Sequence, residues 1–231
     1  MRKVARFALA LAIPLVASSA LAAPLPGFVP IARTAHFTFY GRGGATVDAG
    51  RTERYVEQLE GLLGQRVAGT AAYYRYDSAQ EVAAGTGTFA DGVTFVRDSQ
   101  VHSTLPFHAH ELVHLVAGQL GNPGAFFQEG LAVALGDGGR WRGQRVNGLA
   151  KNLAASRRPL SETVTGFAAL DPEVAYPLAG SFVARLIEKH GLPKVSDFFR
   201  KCTAGADPQA GFAAVFGETL DQAGRSWFVS L

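Results

Sequence analysis

Residues 107–135, FHAHELVHLVAGQLGNPGAFFQEGLAVAL, set three histidines and two glutamates in an otherwise apolar run. Burying such groups without partners costs several kcal/mol, so a fold that encloses them must bring them to each other or to a common partner. The apolar residues recur at helical spacing on both sides of GNPG, a combination that stops a helix and turns the chain. The expectation is a helix running to about Gln119, begun at Thr104 or Leu105 with Pro106 in its first turn. A second helix is expected over residues 125–135, folded back on the first.

The rest of the chain arranges itself around this pair. Residues 23–34 are rich in Pro and Gly and read as an irregular lead-in. HFTFYG (36–41), GTAAYYRYDS (69–78) and GVTFVRDS (92–99) alternate and carry aromatic or β-branched residues, so they read as strands. RTERYVEQLEGLLGQ (51–65) reads as an amphipathic helix, and SAQEVAAG as a short one with Ser78 as cap and Glu81 three residues on. Beyond Gly139 the pattern is helical: a helix from Pro177 to His190, another starting near Pro193, and two more to the end. Thr219 and Gln222 stand at capping-box spacing in the last of these. The fold class expected is α+β: a small N-terminal sheet packed with helices, a mainly helical C-terminal half, and the polar cluster between them.

The first residues, MRKVARFALALAIPLVASSALAAP, have a basic start, a short apolar run and an Ala20-Leu21-Ala22 pattern. They read as a secretory signal over residues 1–22, whose apolar run is too short for an ordinary spanning helix. Residues 23–231 then form one domain, exported to the periplasm or the medium, with no stable membrane insertion after signal removal. The formal charge of +3 vanishes once Arg2, Lys3 and Arg6 are set aside, leaving 19 of the 22 basic residues against 19 acidic ones. Nothing in that balance asks for nucleic acid. The one cysteine, Cys202, rules out a disulfide within the chain and reads as a partly buried thiol on a helix.

His110 and His114 are four residues apart, which puts both imidazoles on one helix face. Two neutral imidazoles so placed can bind one Zn²⁺, and Glu111 beside them can take a proton from water activated there. A catalytic zinc needs a third protein ligand and an open position. Glu129, reached when the second helix folds back, is the candidate.

HELVH followed by QEGLA resembles the gluzincin zinc metallopeptidases, and most closely the small bacterial peptidase MA-like group, over residues 36–231. The resemblance implies a zincin-like domain, a peptide or protein substrate, one zinc per chain on His110, His114 and Glu129, and Glu111 as general base. AYPLAGSFVARLIEKHGLPKVSDFF (175–199) resembles the tyrosine-led helix after the zinc helices of the related aminopeptidase N family. That match gives Tyr176 the role of stabilising the oxyanion, from a helix entrance. The Gly-x-Met-Glu-Asn motif that grips a free amine in that family is absent, since Met1 is the only methionine. No aspartate stands four residues after Glu129, where thermolysin-like enzymes have one; Val133 does. Partners for the zinc histidines are therefore unassigned.

His108 is expected to point off the zinc face, as a structural or solvated residue, and His102 to be a minor candidate for the cleft. His36 and His190 read as structural. Residues 140–158 are rich in Arg and Lys with no acidic residue, a solvated face or, as a second reading, a basic wall of the cleft. Two alternatives to a protease stay open: a zinc-containing binding or assembly factor of the cell envelope, and a hydrolase of cell-wall peptide amide bonds.

Overall fold

A computed structural model describes residues 24–153, 158–202 and 207–231. The signal-like segment 1–22 and part of the basic run, 154–157, lie outside them. The described chain is α+β, as its pattern implies. A five-stranded sheet has the order β1 (Val29–Arg33), β2 (Phe37–Gly41), β3 (Ala71–Arg75), β5 (Gln100–Ser103), β4 (Gly92–Phe95). β2, β3 and β5 are parallel neighbours, and antiparallel β1 and β4 close the two edges. Helix α1 (Ala49–Leu63) makes the crossover from β2 to β3. Asp48 caps its start by accepting the Arg51 N–H, and Gly64 ends it in the left-handed conformation.

Alternation along the strands sorts the side chains to two faces. Phe37, Phe39, Tyr73 and Val101 enter the main core with α1 and the helical half. Tyr40, Tyr74 and Tyr76 form a smaller cluster with Phe28 and Val82 of α2 (Ala79–Thr86) on the other face. Two strands escape the sequence pattern. β1 lies in the stretch expected to be irregular: it is an edge with a bulge, mostly exposed, so it has no buried alternation to show. β5 is a four-residue segment, QVHS, too short and polar to show the period.

The helical half starts with α3 (Ala109–Ala117) and α4 (Ala125–Leu135), joined by the GNPG turn. α3 begins later than expected. The Thr104 hydroxyl is 3.2 Å from the Asp91 carbonyl, to which it donates, so it does not cap, and His108 takes the N-cap position. A hairpin, β6 (Arg140–Trp141) and β7 (Gln144–Arg145), leads to α5 (Val146–Leu153) and α6 (Leu160–Thr165). α7 (Pro172–His190), α8 (Leu192–Lys201), α9 (Pro208–Phe216) and α10 (Leu220–Ser230) complete the chain. α10 carries the expected capping box of Thr219 and Gln222.

α7 also differs from expectation. It starts at Pro172, capped by Asp171, whose carboxylate accepts the Glu173 N–H, so Tyr176 is in the second turn and Pro177 is inside the helix. α4 and α7 pack at glycine distance. A Cβ on Gly130 would sit 2.6 Å from the Ala179 carbonyl, and one on Gly180 would sit 2.4 Å from Val133 Cγ1. Around this contact Phe127, Phe182, Phe198 and Phe212 form an aromatic core. Cys202, just past α8, is fully buried rather than partly so.

Candidate metal centre and cleft

The turn between α3 and α4 sends the chain back so that the end of α4 reaches the start of α3. A Cβ on Gly136 would be 2.7 Å from His110 Cα, so only glycine lets the two backbones come this close. Glu129, in the second turn of α4, then faces the histidines. Its Oε2 is 3.0 Å from His110 Nε2 and 3.3 Å from His114 Nε2. One ligand atom from each of the three residues lies within 4.8 Å of the others, and the cluster could hold a metal ion. The side chains are 11%, 15% and 22% exposed, enough to leave one side open.

His110 is held from behind. Its Nδ1 is 2.8 Å from Asp137 Oδ2. Burial disfavours charge on His110, but the hydrogen bonds and charges of Asp137 and Glu129 outweigh it and raise its pKa to about 10. Burial likewise opposes ionising Glu129, and the two imidazoles overcome that, holding its carboxyl at about 2. Two carboxylates thus converge on one imidazole, an arrangement that draws positive charge to this point. Asp137 is the partner missing at Val133. The signal for it was GDGG, an acid between glycines directly after α4, legible only once the chain is known to turn back there.

Glu111 points to the sheet side. The Thr94 hydroxyl on β4 is 2.8 Å from its Oε2 and 3.0 Å from its backbone carbonyl, so one proton is shared between the two. Gly92 makes room for this carboxylate: a Cβ there would meet Glu111 Cγ at 2.7 Å and the His108 ring at 2.5 Å. No local sequence signal reveals Thr94, because it reaches Glu111 from another element.

The cluster opens into a cleft in two halves, about 490 Å³ and 420 Å³, sharing Ala90, Gly92, His110, Glu111 and Tyr176. Tyr176, on α7, lines both halves. Its ring stacks on Trp141 of the β6–β7 hairpin at 4.4 Å and 23°, and is 6.3 Å from the His110 ring. Burial, then the charges of Glu129 and Glu111, push its pKa up, so the phenol remains a donor at neutral pH. Glu173, one turn earlier on α7, pins the hairpin. It accepts the Trp141 indole N–H at 3.2 Å and pairs with Arg142 at 2.8 Å.

His108 stays out of the ligand cluster, as expected, but it is not simply a surface residue: it lines the hairpin half of the cleft, with its ring tied to Ser103 Oγ at 2.8 Å. His102 does not reach the cleft. It is buried in the second aromatic cluster, stacked on Tyr74 and Tyr76, with its Nδ1 2.9 Å from the Tyr76 hydroxyl. The basic run is a hairpin before it is a helix, and Arg140 and Arg142 do line the cleft. No protein-family model matches this chain, and none of the curated proteins compared with it is similar in sequence.

Proposed function

We propose that this protein is an exported zinc-dependent metallopeptidase. The observation that carries the reading is the convergence of His110 Nε2, His114 Nε2 and Glu129 Oε2 beside the Glu111 carboxylate at the centre of an open cleft. Two ligands of a tetrahedral zinc, each at about 2.0–2.1 Å, lie roughly 3.3–3.4 Å apart. The 3.0 Å and 3.3 Å separations here need little adjustment to fit. Two imidazoles and one carboxylate are the donor set of catalytic rather than structural zinc, which leaves a coordination position for chemistry. The export part of the reading rests on the N-terminal sequence.

Zinc held there would supply Lewis acidity, lowering the pKa of water and polarising a substrate carbonyl. The chain's own residues supply the rest. Glu111, aimed by Thr94, takes the proton of the attacking water and passes it to the leaving amine. Tyr176 donates its hydroxyl hydrogen bond to the carbonyl oxygen as negative charge grows there. Asp137 fixes the His110 tautomer that presents Nε2 to the metal.

The test is an unstructured protein substrate, incubated with zinc-reconstituted wild type, the same protein after chelation, and Glu111→Gln. Wild type should cleave it, and chelation should stop cleavage. Glu111→Gln should lose at least about a hundredfold in rate, since it lacks the base, while keeping its zinc. Wild-type turnover in that variant, or no zinc in the reconstituted protein, overturns the reading.

A further inference from the structure

Resting on that peptidase reading, we propose that the cleft takes an internal stretch of an extended polypeptide, so that the protein cuts within chains rather than trimming an end. The site residues are in the middle of the cleft: Glu111, His110 and Tyr176 line both halves, and both halves open to solvent. Each half alone is the size of a small-molecule site, room for more than one residue on either side of the bond.

An enzyme that trims ends must close one side and place an uncommitted charge there for the terminal amine or carboxylate. Among the described residues neither half does so. Apart from the shared centre, His114 and Glu129, the residues that line the far half, among them Val96, Gly118, Asn122 and Gln128, are uncharged. In the hairpin half Arg142 pairs with Glu173, and Arg140 Nη1 donates to the Gly143 carbonyl at 2.7 Å. Asp91, opposite in sign to Arg140, is exposed on the same wall, so this half offers no single charge that would select one chain end. β4, an edge strand paired only with β5, runs along the far half, an extended wall for an extended chain.

The experiment takes the main cleavage site found in the unstructured protein and builds a peptide of about ten residues around it, about 33 Å when extended. One version has free ends; the other is N-acetylated and C-amidated. Internal cuts, with kcat/KM for the two versions within about threefold, are expected. A loss of tenfold or more on blocking either end, or products released one residue at a time, would overturn the proposal. Thr88→Trp, at the exposed rim of the far half, should raise KM for the blocked peptide about fivefold or more with zinc content unchanged. An unchanged KM would mean that substrate does not occupy that half. If the zinc-loaded protein cuts neither the protein nor the peptides, the peptidase reading itself falls.

Discussion

Asp137 shows what a single side chain can do at such a site and why sequence did not reveal it. His110, His114 and Glu111 could be read because helical period fixes their relative directions, and Glu129 because the turn between the helices is short. Asp137 lies beyond the end of α4, where no period applies, and meets His110 only because Gly136 lets the α4 terminus touch the α3 backbone. Thr94 was hidden for a similar reason, as it contacts Glu111 across the gap from sheet to helix. Replacing Asp137 with Asn removes the charge but keeps the shape. His110 then has at most a neutral amide oxygen to accept from it and loses the carboxylate that raises its basicity, and zinc affinity should fall about 10–100-fold. Competition with a chromophoric chelator measures this directly; wild-type affinity in Asp137→Asn would show that the charge behind His110 is dispensable for metal binding.

Among the elements, the β6–β7 hairpin links the cleft and α7. It is sharply turned: Arg142 has φ of 46° and Gly143 of 82°, the left-handed region that favours glycine. Its grip on α7 runs through Glu173, which holds both Trp141 and Arg142, and through the stack of Trp141 on Tyr176. The hairpin was not visible in the sequence, where its arginines suggested a solvated face or a basic wall of the cleft. A two-residue strand carries no period, and its place over the cleft is set by Glu173, more than thirty residues on. α7 itself was misread at its start because Pro177 looked like a first-turn proline, when Pro172 holds that place. Under the proposed mechanism Trp141 would be a positioning residue, acting through the ring of Tyr176 on which it stacks. Tyr176→Phe should lower kcat roughly ten- to a thousandfold with KM and zinc nearly unchanged. Trp141→Ala should lower kcat less, by about three- to thirtyfold, and Trp141→Phe should restore most of it. In the Trp141→Ala, Tyr176→Phe double variant the losses should not add, because the stack has nothing left to aim. Additive losses would mean that Trp141 contributes in some way other than through the phenol.

At the scale of the whole molecule, the α+β division and the helix pair were legible, since both follow from apolar periodicity over long segments. The sheet order was not, because strand neighbours are chosen by long-range packing. What the sequence did carry was the problem any such fold must solve, a group of ionisable side chains at the junction of its apolar helices. Without a cation, His110 and His114 of α3, Glu129 of α4 and Asp137 just beyond it bring two imidazoles and two carboxylates into contact with one another in partial burial. A zinc bound as proposed would replace the contacts of Glu129 with the two imidazoles by stronger ones, made by the folded chain, which holds all three ligands together. Its effect on stability is then set by mass action: free zinc at a hundred times its Kd adds about 2.7 kcal/mol. For a domain of this size each kcal/mol moves Tm by about 2–4 °C, so chelation should lower Tm by roughly 5–10 °C. The shift should grow with zinc concentration and should shrink in Glu129→Ala, which lacks one ligand. It should persist in Glu111→Gln, where every ligand remains. Thermal melts of the three proteins with and without zinc separate binding from catalysis, because none of them needs a substrate. Coincident melting of the zinc-loaded and chelated wild type would mean that His110, His114 and Glu129 do not hold the ion in the folded state.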